Sequence, residues 1–251
     1  MNIYETDRLL AEYLLFHYGT DAEMLAHPAS PLDALSYPAR CVSECLDLAR
    51  FPANARALDL GCAVGRSTFE FARHCSEVVG IDFSRRFIET AVVLTAEGEV
   101  PYLRADEGAL ATPCCARISP EIDRTRVRFE VGDAMHLRAD LGTFDVVLMA
   151  NLIDRLSEPQ HCLARLAGLV KPGGQLVITS PYTWLEDFTP RANWLGGFER
   201  DGKRVTTRDG LTAALSADFA LTATRDLPFL IREHARKYQW SVAEATIWQR
   251  R

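Results

Sequence analysis

The sequence has neither a long apolar run nor a run of basic residues. No stretch approaches the roughly 20 apolar residues of a membrane-spanning helix, and the opening residues have no apolar core of the signal-peptide type. The formal net charge is −6, so no basic surface for nucleic acid or anionic lipid is predicted. We therefore expect a cytoplasmic protein that binds neither nucleic acid nor membranes and acts on a small molecule.

Paired cysteines and clustered histidines are also missing. The seven cysteines are scattered, odd in number and without a Cys-x-x-Cys pair, which argues against a disulfide framework and against a zinc knuckle. The six histidines are scattered as well, so no metal site is expected. With 251 residues, 48% of them hydrophobic, the chain can bury the core of one α/β domain with additions.

Residues 56–66 predict a buried parallel strand, a tight turn and the start of a helix. Gly61 and Gly65 would let the backbone approach a bound molecule without a Cβ in the way, and the following helix would offer unpaired N–H groups. A dinucleotide fingerprint, Gly-x-Gly-x-x-Gly, is not met, because Ala63 and Arg66 occupy its second and third glycine places.

Two further predicted strands end in an acidic residue. The strand over residues 77–82 ends in Asp82, whose carboxylate at the tip of the neighbouring strand could accept both hydroxyls of a ribose. The next strand ends in Gly-Asp133, and Asp133 could accept from an adenine amino group, with Ala134 and Met135 flanking the ring. Together with the glycine turn, these acids favour an adenosyl ligand.

A fourth predicted strand, residues 144–150, is almost continuously apolar, as a central parallel strand should be. It brings Asn151 and Asp154 to its carboxyl end, where ligands bind in such sheets. A helix after it stops at Lys-Pro-Gly-Gly, residues 171–174, and a fifth strand follows over residues 175–180.

The residues before the first strand predict helices. Thr6 can cap a helix that ends at Gly19, and a second helix is predicted over residues 39–50. An N-terminal helical extension of this kind, residues 1–55, commonly lies over the carboxyl ends of the strands. Four of its side chains are therefore candidates for shaping a substrate pocket, with ordinary packing as the alternative: Tyr4, Tyr13, Tyr37 and Arg40.

Two segments predict no regular structure. Residues 98–125 are interrupted by proline and glycine and read as an insertion, either a surface excursion or a part that closes the site. Residues 181–206 are aromatic and irregular, which suits a substrate-facing loop. A helix near residues 207–216 and an antiparallel hairpin, residues 219–226 and 238–249, complete the sheet.

These signals occur in the order of class I S-adenosylmethionine (SAM)-dependent methyltransferases, which residues 56–180 resemble. The family's Asp-x-Gly-x-Gly-x-Gly loop is present with Ala63 at its middle glycine. The resemblance implies a Rossmann-like α/β sheet of seven strands in the order 3-2-1-4-5-7-6, the last antiparallel, in one domain over residues 1–251. The implied SAM-binding residues are Asp59, Gly61, Cys62, Ala63, Gly65, Arg66, Ser67, Asp82, Phe83, Asp133, Ala134, Met135 and Asn151.

Three stretches, residues 4–19, 58–67 and 227–248, further resemble the mercaptohistidine N-methyltransferases of ovothiol biosynthesis. In that family the module is either fused to a sulfoxide synthase or separate, and this chain resembles the separate form, with a sulfoxide synthase as a possible functional partner. The resemblance implies methyl transfer from SAM to the imidazole nitrogen nearer the side-chain attachment of 5-thiohistidine, which gives ovothiol A.

Such an enzyme must choose one ring nitrogen and hold an amino acid. A hydrogen bond to the other ring N–H would fix the tautomer, and the candidates for it are Asn151, Asp154, Tyr182 and Glu186. The candidates for binding the substrate carboxylate are Arg232, Arg236 and Lys237, and Trp184 is a further candidate from the aromatic segment. The alternatives are methylation of another small-molecule thiol, amine or hydroxyl, a regulatory SAM-binding protein, and, less favoured, an NAD-dependent dehydrogenase.

Overall fold

The computed structural model describes residues 3–25, 27 and 31–251, so residues 1–2, 26 and 28–30 of the predicted extension lie outside it. The α-helices of this part are α1 (Asp7–Tyr18), α2 (Asp21–Met24), α3 (Tyr37–Ser43), α4 (Arg66–Phe71), α5 (Arg85–Glu97), α6 (Pro159–Leu169) and α7 (Thr207–Leu215). The strands are β1 (Arg56–Leu60), β2 (Glu77–Asp82), β3 (Glu99–Glu107), β4 (Leu110–Arg117), β5 (Val127–Val131), β6 (Phe144–Ala150), β7 (Val170–Ser180), β8 (Phe198–Arg200), β9 (Lys203–Val205), β10 (Phe219–His234) and β11 (Lys237–Arg250).

Seven strands form one mixed sheet in the order β10-β11-β7-β6-β1-β2-β5. Six of them run in the same direction, and β11 runs antiparallel to both of its neighbours, β7 and β10. Counted along the chain, this is the predicted order 3-2-1-4-5-7-6 with an antiparallel final strand, so the predicted fold class is confirmed. The strand order reverses between β1 and β6, and the carboxyl ends of strands at such a switch point form a ligand crevice.

The alternation of side chains along the central strands divides the core into two layers. In β6, Val146 and Leu148 belong to a cluster on one face with α1, α3 and α4, whereas Val147 and Met149 belong to a cluster on the other face with α6 and α7. Both faces are therefore buried, which is why β6 is apolar throughout. None of the described helices is long and apolar enough to cross a membrane.

The prediction of irregular structure over residues 98–125 is wrong, because β3 and β4 pair there as an antiparallel hairpin outside the main sheet. Pro101 and Pro113, which suggested a loop, each lie in one strand of this hairpin. Both strands of a two-stranded ribbon are edges, where a residue without an N–H group is tolerated. Gly108 makes the turn with φ +57°.

The second predicted helix is also shorter than expected. It ends at Ser43, and only a 3-10 turn, Leu48–Arg50, follows. The side chain of Gln175 accepts from Asp47 N and donates to Asp47 O, both at 2.9 Å. The backbone N–H and C=O of Asp47 therefore bond to Gln175 of β7, and the helix does not continue through Asp47.

Strands β2 and β5 approach each other so closely at Gly80 that a larger side chain there should destabilise the protein. Gly80 is paired with Phe129, and a Cβ on Gly80 would lie 2.6 Å from two atoms of that ring. We expect Gly80→Ala to lower the free energy of unfolding by about 1–3 kcal/mol, the usual cost of overpacking a core.

Gly168→Ala is the matched control, because a Cβ there has no atom within 4 Å and the residue lies in α6. We expect it to stabilise the protein by up to about 1 kcal/mol through helix propensity. Urea denaturation of both variants measures the difference, and equal effects would contradict the packing described for Phe129.

Candidate active site

A cavity of about 440 Å³ lies at the carboxyl ends of β1, β2, β5 and β6. The extension covers it, since α1, the start of α3 and the short 3-10 segment Ile3–Glu5 all contribute to the wall. Ser84 Oγ donates to Tyr4 O at 3.1 Å, and the Glu5 carboxylate accepts from the first N–H groups of α5. These bonds fix the N-terminal segment beside the end of β2.

The turn after β1 is left-handed at three alternate residues. The φ angles are +74° at Gly61, +48° at Ala63 and +86° at Gly65. The carboxylate of Asp82 holds this turn, because its Oδ2 accepts from Ala63 N at 2.9 Å and its Oδ1 accepts from Ser84 N at 2.8 Å. Burial raises the pKa of Asp82, partly offset by these N–H donors.

Asp59, predicted to bind the cofactor, lies behind the turn and does not line the cavity. It is fully buried, and its Oδ2 accepts from the hydroxyls of Ser67 and Thr68, both at 2.7 Å, while Oδ1 has no hydrogen-bond partner in the described part of the chain. Burial raises the pKa of Asp59 to about 6. The carboxylate therefore joins α4 to β1 beneath the ligand crevice.

The acid after β5 is held in a tight turn. Asp133 Oδ1 accepts from Met135 N at 2.9 Å, and its Oδ2 lies 2.9 Å from His136 Nδ1. The sulfur of Met135 is itself fixed, since it accepts from Glu158 N at 3.4 Å. Phe83, which is 67% exposed, lines the cavity with Met135, so an apolar slot lies beside two carboxylates.

At the end of β6, Asn151 has φ +52° and lines the cavity. Its Oδ1 accepts from the hydroxyl of Tyr37 at 2.8 Å, and that hydroxyl lies 2.6 Å from Thr179 Oγ1. Tyr37 is almost fully buried. The amide of Asn151 is therefore oriented by side chains from α3 and β7.

Several cavity residues were missed by the sequence reasoning. Phe16 and His17 follow Tyr13 at helical spacing on α1, and this aromatic face is the signal that could have revealed them. Arg155 is the only arginine or lysine that lines the described wall. Other unpredicted residues of the cavity wall include Phe87, Asp187, Phe188 and Ile231.

The predicted residues divide into two groups. Those that line the cavity are Tyr4, Tyr13, Tyr37, Gly61, Cys62, Ala63, Ser67, Asp82, Phe83, Asp133, Ala134, Met135 and Asn151. Those that lie outside its wall are Arg40, Asp59, Gly65, Arg66, Asp154, Tyr182, Trp184, Glu186, Arg232 and Arg236.

The predicted carboxylate-binding arginines do not reach the cavity. Arg232 is 3% exposed, donates to Glu23 O at 2.5 Å and lies 3.4 Å from Asp106, so it joins α2, β3 and β10. Arg236 is exposed in the turn between β10 and β11. Arg40 pairs with Glu44 at 2.7 Å and donates to carbonyl oxygens of the chain.

The aromatic segment after β7 mostly packs against the fold. Trp184 is buried, and its Nε1 donates to Thr207 Oγ1 at 2.8 Å. Tyr182 donates to Glu244 of the neighbouring strand β11 at 2.6 Å, and Glu186 is exposed. Of this segment, Asp187 and Phe188 line the cavity.

Asp154 lies just behind the wall. Its Oδ2 accepts from Thr183 N and from Arg155 Nη1, both at 3.0 Å. Arg155 Nη1 also donates to Thr183 O, and its guanidinium lies 4.9 Å from the ring centre of Phe188. Asp154 thus positions Arg155 and does not itself face the cavity.

The strand order, the left-handed turn after β1 and the acids at the ends of β2 and β5 give this chain the fold of class I S-adenosylmethionine-dependent methyltransferases. Residues 58–178 match the family model of the methyltransferase domain. A similar curated protein is the ubiquinone biosynthesis O-methyltransferase of Xanthomonas axonopodis pv. citri, which is 27% identical over 154 residues, 61% of this chain and 53% of that protein. The chain spans about half the length of the curated relatives it matches.

Two solved structures share the fold over nearly the whole chain. The cyclase SpnF is 17% identical with a TM-score of 0.61, and the match covers 99% of this chain and 94% of that one. The N-methyltransferase NodS from Bradyrhizobium japonicum WM9, in complex with S-adenosyl-L-homocysteine, is 14% identical with a TM-score of 0.55 and covers 96% and 98%. At these identities the likeness shows the fold alone.

The residues present fit S-adenosylmethionine. Asp82 and Asp133 are carboxylates with lone pairs to spare beyond their backbone bonds, and Phe83 and Met135 offer apolar faces for a ring. Within residues 3–25, 27 and 31–251, no group of three or more His, Cys, Asp or Glu side chains could hold a metal ion.

Ala63 should store strain that glycine would release. A non-glycine residue in the left-handed region costs about 1–2 kcal/mol, and the extra freedom of glycine in the unfolded chain costs about 0.4–1 kcal/mol. We expect Ala63→Gly to raise the free energy of unfolding by up to about 1 kcal/mol in urea denaturation. Ala57→Gly in β1 is the control and should destabilise; a loss of stability at both positions would contradict the strain.

Asp59 should make stability depend on pH. Its pKa is about 6 in the folded protein and about 3.9 when unfolded, so the folded state binds more protons between these values. Stability therefore falls as pH rises from about 4 to 6, by about 3 kcal/mol for this group.

We expect Asp59→Asn to remove this loss, because an amide oxygen can still accept from Ser67 and Thr68. The unfolding free energy of the variant minus that of the natural protein should increase by about 1–3 kcal/mol between pH 4.5 and pH 7.5, because only the natural protein loses stability through Asp59. The pKa values of Asp82 and Asp154 are also raised by burial, but these groups titrate in both proteins, so their contributions largely cancel in the difference. A difference that does not change with pH would contradict the prediction.

Proposed function

We propose that the protein is a SAM-dependent methyltransferase that methylates the imidazole nitrogen nearer the side-chain attachment of 5-thiohistidine, giving ovothiol A. The observation that carries the proposal is the origin of the cavity wall. The stretch 4–19, which resembles the ovothiol N-methyltransferases, contributes Tyr4, Tyr13, Phe16 and His17 to the wall. A cavity of about 440 Å³ suits a small molecule.

The cofactor is proposed to lie along the ends of β5, β2 and β1. In this arrangement Asp133 accepts from the adenine amino group, Asp82 accepts from the ribose hydroxyls, and Phe83 and Met135 flank the ring. Asp82 would then have a double role, because the same carboxylate already accepts from Ala63 N and so shapes the turn beneath the cofactor.

S-adenosylmethionine supplies, when bound, a methyl group on a sulfonium centre that a nitrogen, oxygen or sulfur nucleophile can accept. The protein therefore has to orient the acceptor and exclude water, and such positioning can contribute about 7–11 kcal/mol. Asn151 Oδ1 accepts from Tyr37 at 2.8 Å and lies 3.4 Å from Thr179 Oγ1. When the Thr179 hydroxyl donates to Tyr37, at the shorter distance of 2.6 Å, Oδ1 keeps a second lone pair. We propose that this lone pair accepts the N–H of one ring nitrogen, which fixes the tautomer that leaves the other nitrogen free.

Arg155 replaces Arg232, Arg236 and Lys237 as the proposed partner of the acceptor's carboxylate. Its Nη1 is fixed by Asp154 and Thr183, and its guanidinium lies over Phe188. A guanidinium held in this way can meet a carboxylate with little loss of side-chain freedom. The proposal also implies a sulfoxide synthase as the source of the sulfur-bearing histidine.

A hydroxyl acceptor is the second candidate, because the curated relatives that match are O-methyltransferases of ubiquinone biosynthesis. They match only over about half of their length. The aromatic face of α1 would suit a phenolic ring as well as an imidazole.

We expect the purified protein to convert 5-thiohistidine and SAM into a product that carries one methyl group on the ring nitrogen nearer the side chain. Mass spectrometry gives the added mass, and NMR of the product gives the methylated atom. Histidine, a sulfur-blocked thiohistidine and a catechol are the comparison acceptors, and Arg155→Lys and Arg155→Met test the carboxylate contact through the Michaelis constant.

Methylation of sulfur, or turnover of the catechol alone, would replace the proposed acceptor and leave the methyltransferase in place. Tight binding of SAM without turnover of any acceptor would favour the regulatory alternative. A Michaelis constant for 5-thiohistidine that is unchanged in Arg155→Met would move the carboxylate contact elsewhere.

A further inference from the structure

One cavity residue has a buried polar atom without a partner. His17, on α1, is 9% exposed and lines the cavity, and its Nδ1 has no hydrogen-bond partner in the described part of the chain. An unpaired buried nitrogen destabilises the fold, and buried polar groups in native proteins are almost always paired. A bound ligand would supply the missing partner.

The surroundings of His17 keep its imidazole neutral. Its ring lies 5.9 Å from that of Tyr13 and 5.4 Å from that of Phe16, centre to centre. Burial, with a smaller effect of Arg66, lowers the pKa of His17 to about 3. A neutral imidazole has one N–H donor and one nitrogen acceptor, so it can serve an anion or an ammonium group.

The position of His17 relative to the sheet indicates which part of a ligand it meets. The hydroxyl of Tyr18, the next residue, donates to Val64 O at 2.7 Å and so joins this end of α1 to the turn after β1. The strand order puts Asp133, Asp82 and this turn in a row. A molecule held by its ring at Asp133 and by its ribose at Asp82 extends toward His17.

We propose that His17 binds the amino-acid end of S-adenosylmethionine, the end that carries an α-ammonium and a carboxylate. Its nitrogen lone pair accepts from the ammonium group, or its N–H donates to the carboxylate. The inference rests on the proposed arrangement of the cofactor and is independent of which acceptor is methylated.

The test is calorimetric binding, without any acceptor, of two ligands that share the adenosyl group. S-adenosylhomocysteine has the amino-acid end, and 5′-methylthioadenosine lacks it. We expect His17→Phe to weaken S-adenosylhomocysteine at least tenfold, as for one lost hydrogen bond to a charged group, and to leave 5′-methylthioadenosine within twofold. His17→Gln, which keeps a donor and an acceptor, should recover part of the lost affinity.

A thermal melt of the ligand-free proteins separates binding from folding. Phenylalanine keeps the ring contacts with Tyr13 and Phe16 and removes the unpaired nitrogen, so His17→Phe should melt at the same temperature as the natural protein or higher. A lower melting temperature with both ligands weakened equally would make His17 a packing residue. Unchanged binding of S-adenosylhomocysteine would also overturn the proposal.

If the natural protein bound neither ligand, the cofactor arrangement would fail, and the role of His17 with it. If it bound both but methylated another acceptor, only the thiohistidine assignment would fail. The two proposals can therefore be separated by experiment.

Discussion

The site depends on the two hydrogen bonds that the carboxylate of Asp82 accepts from the backbone. Asp82 ends β2 and accepts from the N–H groups of Ala63 and Ser84, so it joins the turn after β1 to the start of α5. That turn requires left-handed backbone at three residues, one of which is an alanine. The hydrogen bond to Ala63 N helps to hold a conformation that an L-residue adopts only at a cost.

Below this turn, Asp59 holds α4 against β1 through two hydroxyls. Two acids on neighbouring strands thus shape the crevice before any ligand arrives.

The wall opposite this crevice comes from the N-terminal extension, and the rest of the chain supports it. The β3–β4 hairpin packs against α1, and Arg232 joins α2 and the hairpin to β10. Residues 98–125 therefore support α1, and Arg232 holds α2 and the hairpin to β10 outside the cavity wall. The polar atoms without a partner in the described structure include Asp59 Oδ1, His17 Nδ1 and Asp154 Oδ1, which all lie in or just behind the cavity wall.

Much of the cofactor side of the site could be predicted because the residues concerned are set by local structure. Asp82 ends β2, Asp133 lies two residues after β5 and Asn151 directly follows β6, and parallel strands bring their carboxyl ends to one edge of the sheet. The acceptor side could not be predicted in the same way. Arg155 and Asp187 face the cavity and Arg232 does not, although all are charged residues near predicted elements. Which way such a side chain points depends on partners distant in sequence, such as Thr183 for Arg155 and Glu23 for Arg232.

The sequence by itself determined most strands of the main sheet and its ligand-binding edge, because hydrophobic periodicity and glycine placement act over a few residues. The strand order followed from the resemblance to class I methyltransferases. Tertiary structure decided where the helix after Tyr37 ends, that residues 99–117 pair as a hairpin, and which aromatic rings face the cavity. Each of these depends on contacts between residues far apart in the chain. Gln175 binds the backbone of Asp47 beyond the end of the helix at Ser43, and Phe16 and Tyr37 come together only when α1 and α3 pack on the same face of the sheet. Local pattern cannot encode such pairings, since their free energy arises only once the core has formed.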